Sequence, residues 1–262
     1  MREAQDGARQ VKNSTALEVG ARTGFAASGL LHLLIGYLAV QVAFHRTRKS
    51  ADQSGALATL ADHTVGKILL IVFIAGFVAL ALWQLTLAIV GDGHEHPMVH
   101  RVKDLAVAVV YLAMAWTAFS FARNQGKSSS SKSTDVTASI MKQPGGRWLV
   151  AIVGLVVIGI GCYHVYKGAR TRFVKELREH PGETVVWTGR IGYAAKGVAL
   201  VIVGALFVAA AVQHRSSEAR GLDGALSTLR EAFAGQLLLT LMGLGLAIFG
   251  VYCFGRARYA RV

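Results

Sequence analysis

Charged residues and cysteines are scarce in this chain. Of its 262 residues, 16% are charged and 53% are hydrophobic, which is too apolar for an ordinary soluble domain and favours a membrane protein. The two cysteines, Cys162 and Cys253, are too few for a disulfide framework and lack any spacing typical of a metal site. The composition therefore argues against a small disulfide-stabilised protein and against a cysteine-ligated zinc protein.

Acidic residues are almost missing from the long apolar runs. Six runs of about 20 residues are present, each long enough to cross a hydrocarbon core of about 30 Å as a helix. They cover 23–44, 66–90, 104–121, 148–169, 191–213 and 235–254. Asp104, at the edge of the third run, is their only acidic residue. Because proton-coupled and many cation-coupled transporters use a carboxylate near mid-membrane, this scarcity argues against those classes.

The chain also repeats itself. RTGFAASG at 22–29 returns as RIGYAAKG at 190–197, with five of eight residues identical. SGALATL at 54–60 returns as DGALSTL at 223–229, and a weaker copy of the unit begins at Arg101. The pattern predicts three tandem units, each made of a span, a loop with a short helix, and a second span.

These units define the expected organisation. A polar tail at 1–18 precedes repeats at 19–95, 96–180 and 181–262, and a serine-rich loop at 122–147 interrupts the second repeat. The predicted fold class is all-α, a polytopic transmembrane bundle of six helices in three tandem two-span repeats. Repeats that all begin on one side of the membrane permit a pseudo-threefold arrangement about the membrane normal.

Short helices are expected in the loop inside each repeat. Ser54, Asp135 and Asp223 are good N-cap residues and are predicted to begin these helices. Their apolar faces favour a position in the plane of the membrane interface. A lid over a central opening is the alternative interpretation.

The motifs resemble a known bacterial membrane family, domain of unknown function 1206. Arg22-Thr-Gly-Phe-Ala-Ala, Arg190-Ile-Gly-Tyr-Ala-Ala and Gly224-Ala-Leu-Ser-Thr-Leu carry the resemblance, which extends over about residues 19–258. The second unit departs from it, with Val102-Lys-Asp-Leu-Ala in place of the Gly-aromatic-Ala-Ala motif. The resemblance implies a six-helix integral membrane protein and implies no activity.

Small residues form a stripe along the first span of each repeat. On a helical wheel they recur at alternating spacings of four and three residues behind an arginine, which places them on one face. In lipid, helices associate by close packing, so small residues mark contact faces, and a terminal arginine suits lipid phosphates or the carbonyl ends of a neighbouring helix. The predicted packing residues are Arg22, Gly24, Ala26, Gly29, Gly36, Arg101, Arg190, Gly192, Ala194, Gly197 and Gly204. A ligand cleft lined by this face is the alternative.

Three of the titratable residues inside the apolar runs are candidate sites. His32, His164 and Lys196 are candidate ligand or headgroup contacts, because polar side chains in spans are the default functional suspects. Hydrogen-bonded structural histidines are the favoured interpretation for the first two, with haem ligation as the alternative. For Lys196 we expect a side chain that snorkels to the interface.

The loop at 91–100 is rich in polar ligands. His94, His96 and His100 are weak candidates for a metal site, since their spacing matches no standard arrangement. A solvated hairpin is the favoured interpretation, so we expect no metal and no cofactor.

The expected function follows from these observations. The net charge of +13 comes from basic residues scattered through loops at span ends, which suits anionic lipid headgroups rather than nucleic acid. No Ser-His-Asp order, phosphate-binding glycine loop or carboxylate pair indicates an enzyme. We expect a non-catalytic structural or accessory protein that interacts with lipids or other membrane proteins. The alternative is a passive transporter or small pore with a pathway between the three repeats.

The distribution of basic residues predicts the orientation. Slightly more of them lie on the side of the termini, including a dense cluster at 167–178. The positive-inside rule then places a multi-pass protein in the cell membrane with both termini in the cytoplasm.

Overall fold

The structure, a computed structural model, describes most of the chain. The described residues are 15–44, 49–90, 97–123, 125–126, 128–178, 181–219 and 221–261. Regular secondary structure in these ranges is helical. The α-helices are α1 (Thr15–Ala43), α2 (Gln53–Ala61), α3 (Thr64–Val90), α4 (Pro97–Ala122), α5 (Ser129–Met141), α6 (Gly146–Ala169), α7 (Glu183–Gln213), α8 (Leu222–Glu231) and α9 (Gly235–Tyr259). Short 3₁₀ helices cover Arg172–Glu176 and Ser216–Glu218.

Six of these helices are long and apolar enough to cross a membrane. They are α1, α3, α4, α6, α7 and α9, and each corresponds to one of the six apolar runs of the sequence. The shorter α2, α5 and α8 fall in the loop inside each repeat, as the repeat pattern predicts. The all-α fold with six spans in three two-span repeats is confirmed.

The spanning helices extend beyond their apolar runs at the polar ends. The longest extensions are those of α1 and α7, which begin at Thr15 and Glu183, whereas their apolar runs begin at residues 23 and 191. A helix satisfies its own backbone hydrogen bonds, so it continues into the interface while its charged side chains are hydrated or meet headgroups. Apolar length therefore locates a span without locating its helix ends.

The predicted caps of the loop helices are wrong. Asp52 caps α2, since its Oδ1 accepts hydrogen bonds from the Gly55 backbone N–H at 3.0 Å and from the Ser54 hydroxyl. Ser54 lies in the first turn, and Asp135 lies in the middle of α5. Asp223 lies in the first turn of α8 and accepts a hydrogen bond from the Ala51 backbone N–H at 2.9 Å. Asp52, two residues upstream of Ser54, is the acceptor that caps α2, and Asp223 binds a backbone N–H of another loop instead of capping its own helix.

The chain divides into two compact units. Of the described residues, the first contains those from Thr15 to Ser28, those of Thr59–Gly126 and the C-terminal segment from Arg256. Within it α3 packs against α4, and the ring of Phe77 stacks on Tyr111 with centroids 6.3 Å apart. The second span of the first repeat thus lies against the first span of the second repeat.

The second unit contains Gly29–Ala58 and Lys127–Gly255. Here α6 packs along α7, so the second span of the second repeat lies against the first span of the third. A Cβ on Gly161 would lie 2.7 Å from the carbonyl oxygen of Gly197, and one on Gly154 would lie 2.8 Å from that of Gly204. The two pairs are seven residues apart on each helix, which is about two turns. The helices therefore touch backbone to backbone along one antiparallel line.

We predict that this backbone contact controls the stability of the protein in detergent. Gly161→Ala forces the helices apart and is expected to cost about 1–3 kcal/mol, as overpacked cores do. Gly159 lies on the same helix, and a methyl group added there would meet no atom within 4 Å, so Gly159→Ala is the matched control. Because alanine is a better helix former than glycine by up to about 1 kcal/mol, the control should melt at the same or a higher temperature.

Each variant is heated to a series of temperatures, and the fraction that remains folded is measured by size-exclusion chromatography. Equal melting temperatures for the two variants would contradict the packing described here.

Candidate functional site

The stripe of small residues on α1 forms a contact with α9. A Cβ on Gly36 would lie 2.5 Å from the carbonyl oxygen of Gly243, and one on Gly29 would lie 2.9 Å from that of Gly250. Ala26, on the same face of the helix, is partly exposed. The second span of the third repeat thus lies against the first span of the first repeat. This is the same register of glycine pairs that joins α6 to α7.

The second spans of the second and third repeats, α6 and α9, carry a matching stripe that the sequence analysis did not identify. Gly154 and Gly161 on α6 recur as Gly243 and Gly250 on α9, at equal distances from the motifs GRWLV and GQLLL that begin these spans. This seven-residue spacing was visible in the sequence. It marks the partner face because both helices must lack side chains where their backbones meet.

The remaining pairing, that of α3 with α4, has alanine at three of the four equivalent places and Ile74 at the fourth. Ala108 and Ala115 take the stripe positions on α4, and Ala81 is the equivalent of Gly161 on α3. All three side chains are buried. The second repeat therefore keeps the small-residue face although it lacks the glycine motif.

Gly24 and Gly192 lie on a different face from the stripe. A Cβ on Gly24 would lie 2.8 Å from the carbonyl oxygen of Gly76, and one on Gly192 would lie 2.6 Å from the Cα of Phe249. Both contacts join the two spans of one repeat. The repeated motif thus combines two contact faces, one within a repeat and one toward the next repeat.

Arg22 closes the C-terminal end of α9. Its Nη1 donates to the carbonyl oxygens of Ala257, at 3.0 Å, and Arg258. Its Nε and Nη2 donate to Oε1 of Glu18, at 3.1 and 2.8 Å. The last carbonyls of a helix have no partner within the helix and carry partial negative charge, which a guanidinium satisfies.

The arginines that begin the other two stripes are placed differently. The guanidinium of Arg190 lies over the ring of Trp187, 4.8 Å from its centroid. The backbone of Arg190 lies against Gly168. A Cβ added to Gly168 would lie 2.8 Å from the carbonyl oxygen of Arg190 and 3.2 Å from the backbone nitrogen of Ala194. Arg101 is exposed. The three equivalent arginines therefore have three different environments.

The candidate residues inside the spans meet at one aromatic cluster. Its buried members are Phe173, Tyr193, Phe249, Tyr252 and Cys253. The Nζ of Lys196 lies 4.5 Å from the Phe249 ring centroid, and the His32 ring meets the same ring edge-on at 4.8 Å. Lys196 and His32 come from different repeats, so the sequence did not indicate that they share a ring.

His164 and Lys167 lie at the neighbouring ring of this cluster, that of Tyr193. The centroids of His164 and Tyr193 are 5.7 Å apart, and the Nζ of Lys167 is 4.8 Å from the Tyr193 centroid. His164 Nδ1 donates to the Ile160 carbonyl at 2.8 Å, and Lys167 pairs with Glu176 at 2.5 Å. The cation–π contacts of Lys196 and Lys167, together with the ion pair of Lys167, hold two ammonium groups at this aromatic cluster.

The predicted metal candidates fall largely outside the described residues. His94 and His96 lie outside them, and His100 is in the first turn of α4, where its backbone alone is described. Among the residues that the structure describes, no group of three or more metal-ligating side chains is found.

The described geometry defines a class of protein. Six apolar spans in three repeats, joined along faces of glycine and alanine, are the architecture of a multi-pass α-helical membrane protein. The chain belongs to the family described as Domain of Unknown Function (DUF1206), which matches it three times, at residues 23–91, 104–171 and 191–260. The resemblance in the sequence motifs is thereby confirmed.

One curated relative shares most of its length with this chain. It is "Uncharacterized protein YxxB" of Bacillus subtilis (strain 168), which is 30% identical over 247 residues, or 91% of this chain and 89% of the relative. No solved structure matches this chain.

We predict that Arg22 stabilises the last turn of α9. Arg22→Ala removes donors to two helix-terminal carbonyls, so amide hydrogen exchange at Arg256–Tyr259 should become about fivefold faster, the equivalent of about 1 kcal/mol. Arg190→Ala is the matched control, because that side chain lies on Trp187 and should leave exchange in this turn unchanged. Faster exchange in the control alone, or in neither variant, would contradict the assignment.

Proposed function

We propose that this protein is a non-catalytic component of the cell membrane, with a structural or accessory role toward lipids and other membrane proteins. The observation that carries the proposal is the contrast between the faces of its spans. Glycine faces are closed by backbone contact, whereas α4 and α6 each carry a wide apolar face that their own unit leaves uncovered. Only 22% of the most apolar stretch of α4 and 17% of that of α6 are buried.

The exposed apolar faces of α4 and α6 are suited to contact with lipid or with another membrane protein. On α6 the side chains of Ile152, Leu155 and Val156 are exposed, and on α4 those of Val109 and Trp116 are. Apolar surface of this extent costs about 25 cal/mol per Å² in water, so it requires acyl chains or the span of another protein against it. Neither occupant needs a reaction centre in this chain.

Basic and aromatic side chains support contact with anionic headgroups. On the side of the termini, Arg172 lies over the ring of Tyr166 at 5.2 Å, and Arg170, Lys175 and Arg178 lie nearby in sequence. Aromatic rings beside cations are typical of membrane interfaces with negatively charged lipids. We therefore include anionic phospholipids among the partners and place the termini in the cytoplasm.

A passive transporter or small pore is the second candidate. The observation that favours it is the group of His32, Lys196 and His164 within the spans, since ionisable side chains at membrane depth often mark a pathway. Closed glycine contacts along α6 and α7 and along α1 and α9 favour the structural role over a pathway at those two contacts.

Photocrosslinking tests the proposed role. Benzoylphenylalanine in place of Leu155, which is 60% exposed on α6, should yield adducts with lipid or with another membrane protein in cells. The same substitution at Val150, which is 2% exposed on the same helix, is the control and should yield none. Intramolecular adducts alone at both positions would contradict the proposal.

Solute flux separates the two candidates. In liposomes the structural role predicts leakage of small ions and sugars no faster than from protein-free vesicles. Faster flux would establish the pore instead if it falls in Lys196→Ala. The surface variant Lys175→Ala is the control and should leave the flux unchanged.

Thiol labelling tests the orientation. In a background with Cys162 and Cys253 replaced by serine, Ser131→Cys in the exposed part of α5 should react with an impermeant maleimide in intact spheroplasts. Lys175→Cys, on the side of the termini, should react only after the cells are opened. The reverse pattern would place the termini outside.

A further inference from the structure

A cavity of about 380 Å³ lies in the second unit between the loop helix α5 and the spans α6 and α7. Its wall is largely apolar, with Val136 and Ile140 from α5, Leu149 and Val153 from α6, and Phe207 from α7. Val136, Leu149 and Val153 are exposed, so the cavity opens to the surroundings of the protein. A volume at the lower end of the range for ligand pockets suits one slender apolar group rather than a whole lipid.

The position of the cavity corresponds to the outer part of one bilayer leaflet. Val153 is seven residues from the start of α6 at Gly146, and Phe207 is six residues from the end of α7 at Gln213. At 1.5 Å per residue, the cavity reaches about 10 Å inward from the ends of these spans. That is the depth at which headgroups give way to acyl chains.

Lys132 gives the cavity a polar and basic rim. Ser133 and Thr137 of α5 line the same side, so a charged donor and two hydroxyl groups stand together on the helix that covers the cavity. The carboxylate of Asp135 on the same helix is exposed and is not part of the lining. Within the described ranges, no acidic side chain lines the cavity, and the ion pairs found do not include Lys132. The rim therefore complements a negative group.

We propose that this cavity binds one acyl chain of an anionic phospholipid, whose phosphate meets the Lys132 ammonium group. The chain lies against Val153 and Phe207, and the glycerol region lies beside the hydroxyl groups of Ser133 and Thr137. The Lys132 stem packs along apolar surface while its ammonium group stays at headgroup level. This inference rests on the proposed role toward lipids and names one lipid and its site.

Lipid retention measured by native mass spectrometry tests the site. The full chain is purified in mild detergent and supplied with equal amounts of phosphatidylglycerol and phosphatidylcholine of the same acyl chains. Wild-type protein should retain one phosphatidylglycerol in preference to phosphatidylcholine. Lys132→Ala should reduce that preference about tenfold, the effect expected for loss of one charge-assisted hydrogen bond. Lys142→Ala, an exposed residue at the end of α5 outside the lining, is the matched control and should leave it unchanged.

A second pair of variants tests the acyl-chain part of the site. Val153→Trp fills the cavity and should abolish retention of both lipids, whereas Val156→Trp, exposed on the same helix outside the lining, should not. Each variant must elute as a single species, so that loss of lipid is not loss of folding. Undiminished preference in Lys132→Ala, or equal retention in the two tryptophan variants, would overturn the proposal.

The outcome is distinguishable from failure of the proposed function. Crosslinks at Leu155 that persist while both lipid tests fail would remove this site and leave the accessory role standing. Absence of those crosslinks would instead contradict the accessory role, whatever lipid is retained.

Discussion

Helix contact without side chains is the constraint on which the rest of this structure depends. In lipid, apolar side chains gain nothing by meeting one another, so helices associate where their backbones approach closely. In this protein the approach occurs where glycine faces glycine, as at Gly161 with Gly197 and at Gly29 with Gly250. A single methyl group at such a position would meet a carbonyl oxygen closer than van der Waals contact allows. Geometry therefore accounts for the recurrence of the motif within this chain, and no catalytic role is needed to explain it.

The three helix pairs differ in which small residues form this contact. The pairs α6 with α7 and α1 with α9 have glycine at equivalent places, whereas α3 with α4 has Ala81 and Ala108. The arginines behind the stripes diverge further, since Arg22 binds helix-terminal carbonyls and Arg190 covers a tryptophan ring. Tandem copies can diverge in this way because each needs only to fit its own neighbour. A property of one repeat therefore does not transfer to the others by position alone.

Positive charge inside the spans is matched to aromatic rings. Lys196 lies on one ring of the aromatic cluster, which the His32 ring meets edge-on, and Lys167 lies on the next ring with Glu176 beside it. Aromatic quadrupoles and the Glu176 carboxylate compensate ammonium groups that are partly shielded from water. At the opposite end of the spans, Lys132 stands over an apolar cavity. The position of Lys132 agrees with the proposed contact between this chain and anionic headgroups.

The sequence by itself determined the six spans, the three repeats and the small-residue face, because apolar length and helical spacing are local properties of the chain. It did not determine the helix ends, since a helix satisfies its own backbone beyond the hydrocarbon core. Only the tertiary structure decided which faces meet. Many small residues lie on these helices, and the pairing of Gly36 with Gly243 joins residues far apart in the chain. For the same reason Lys196 shares a ring with His32. Both contacts join helices that are distant in the chain, and no local sequence pattern specifies which helix packs against which.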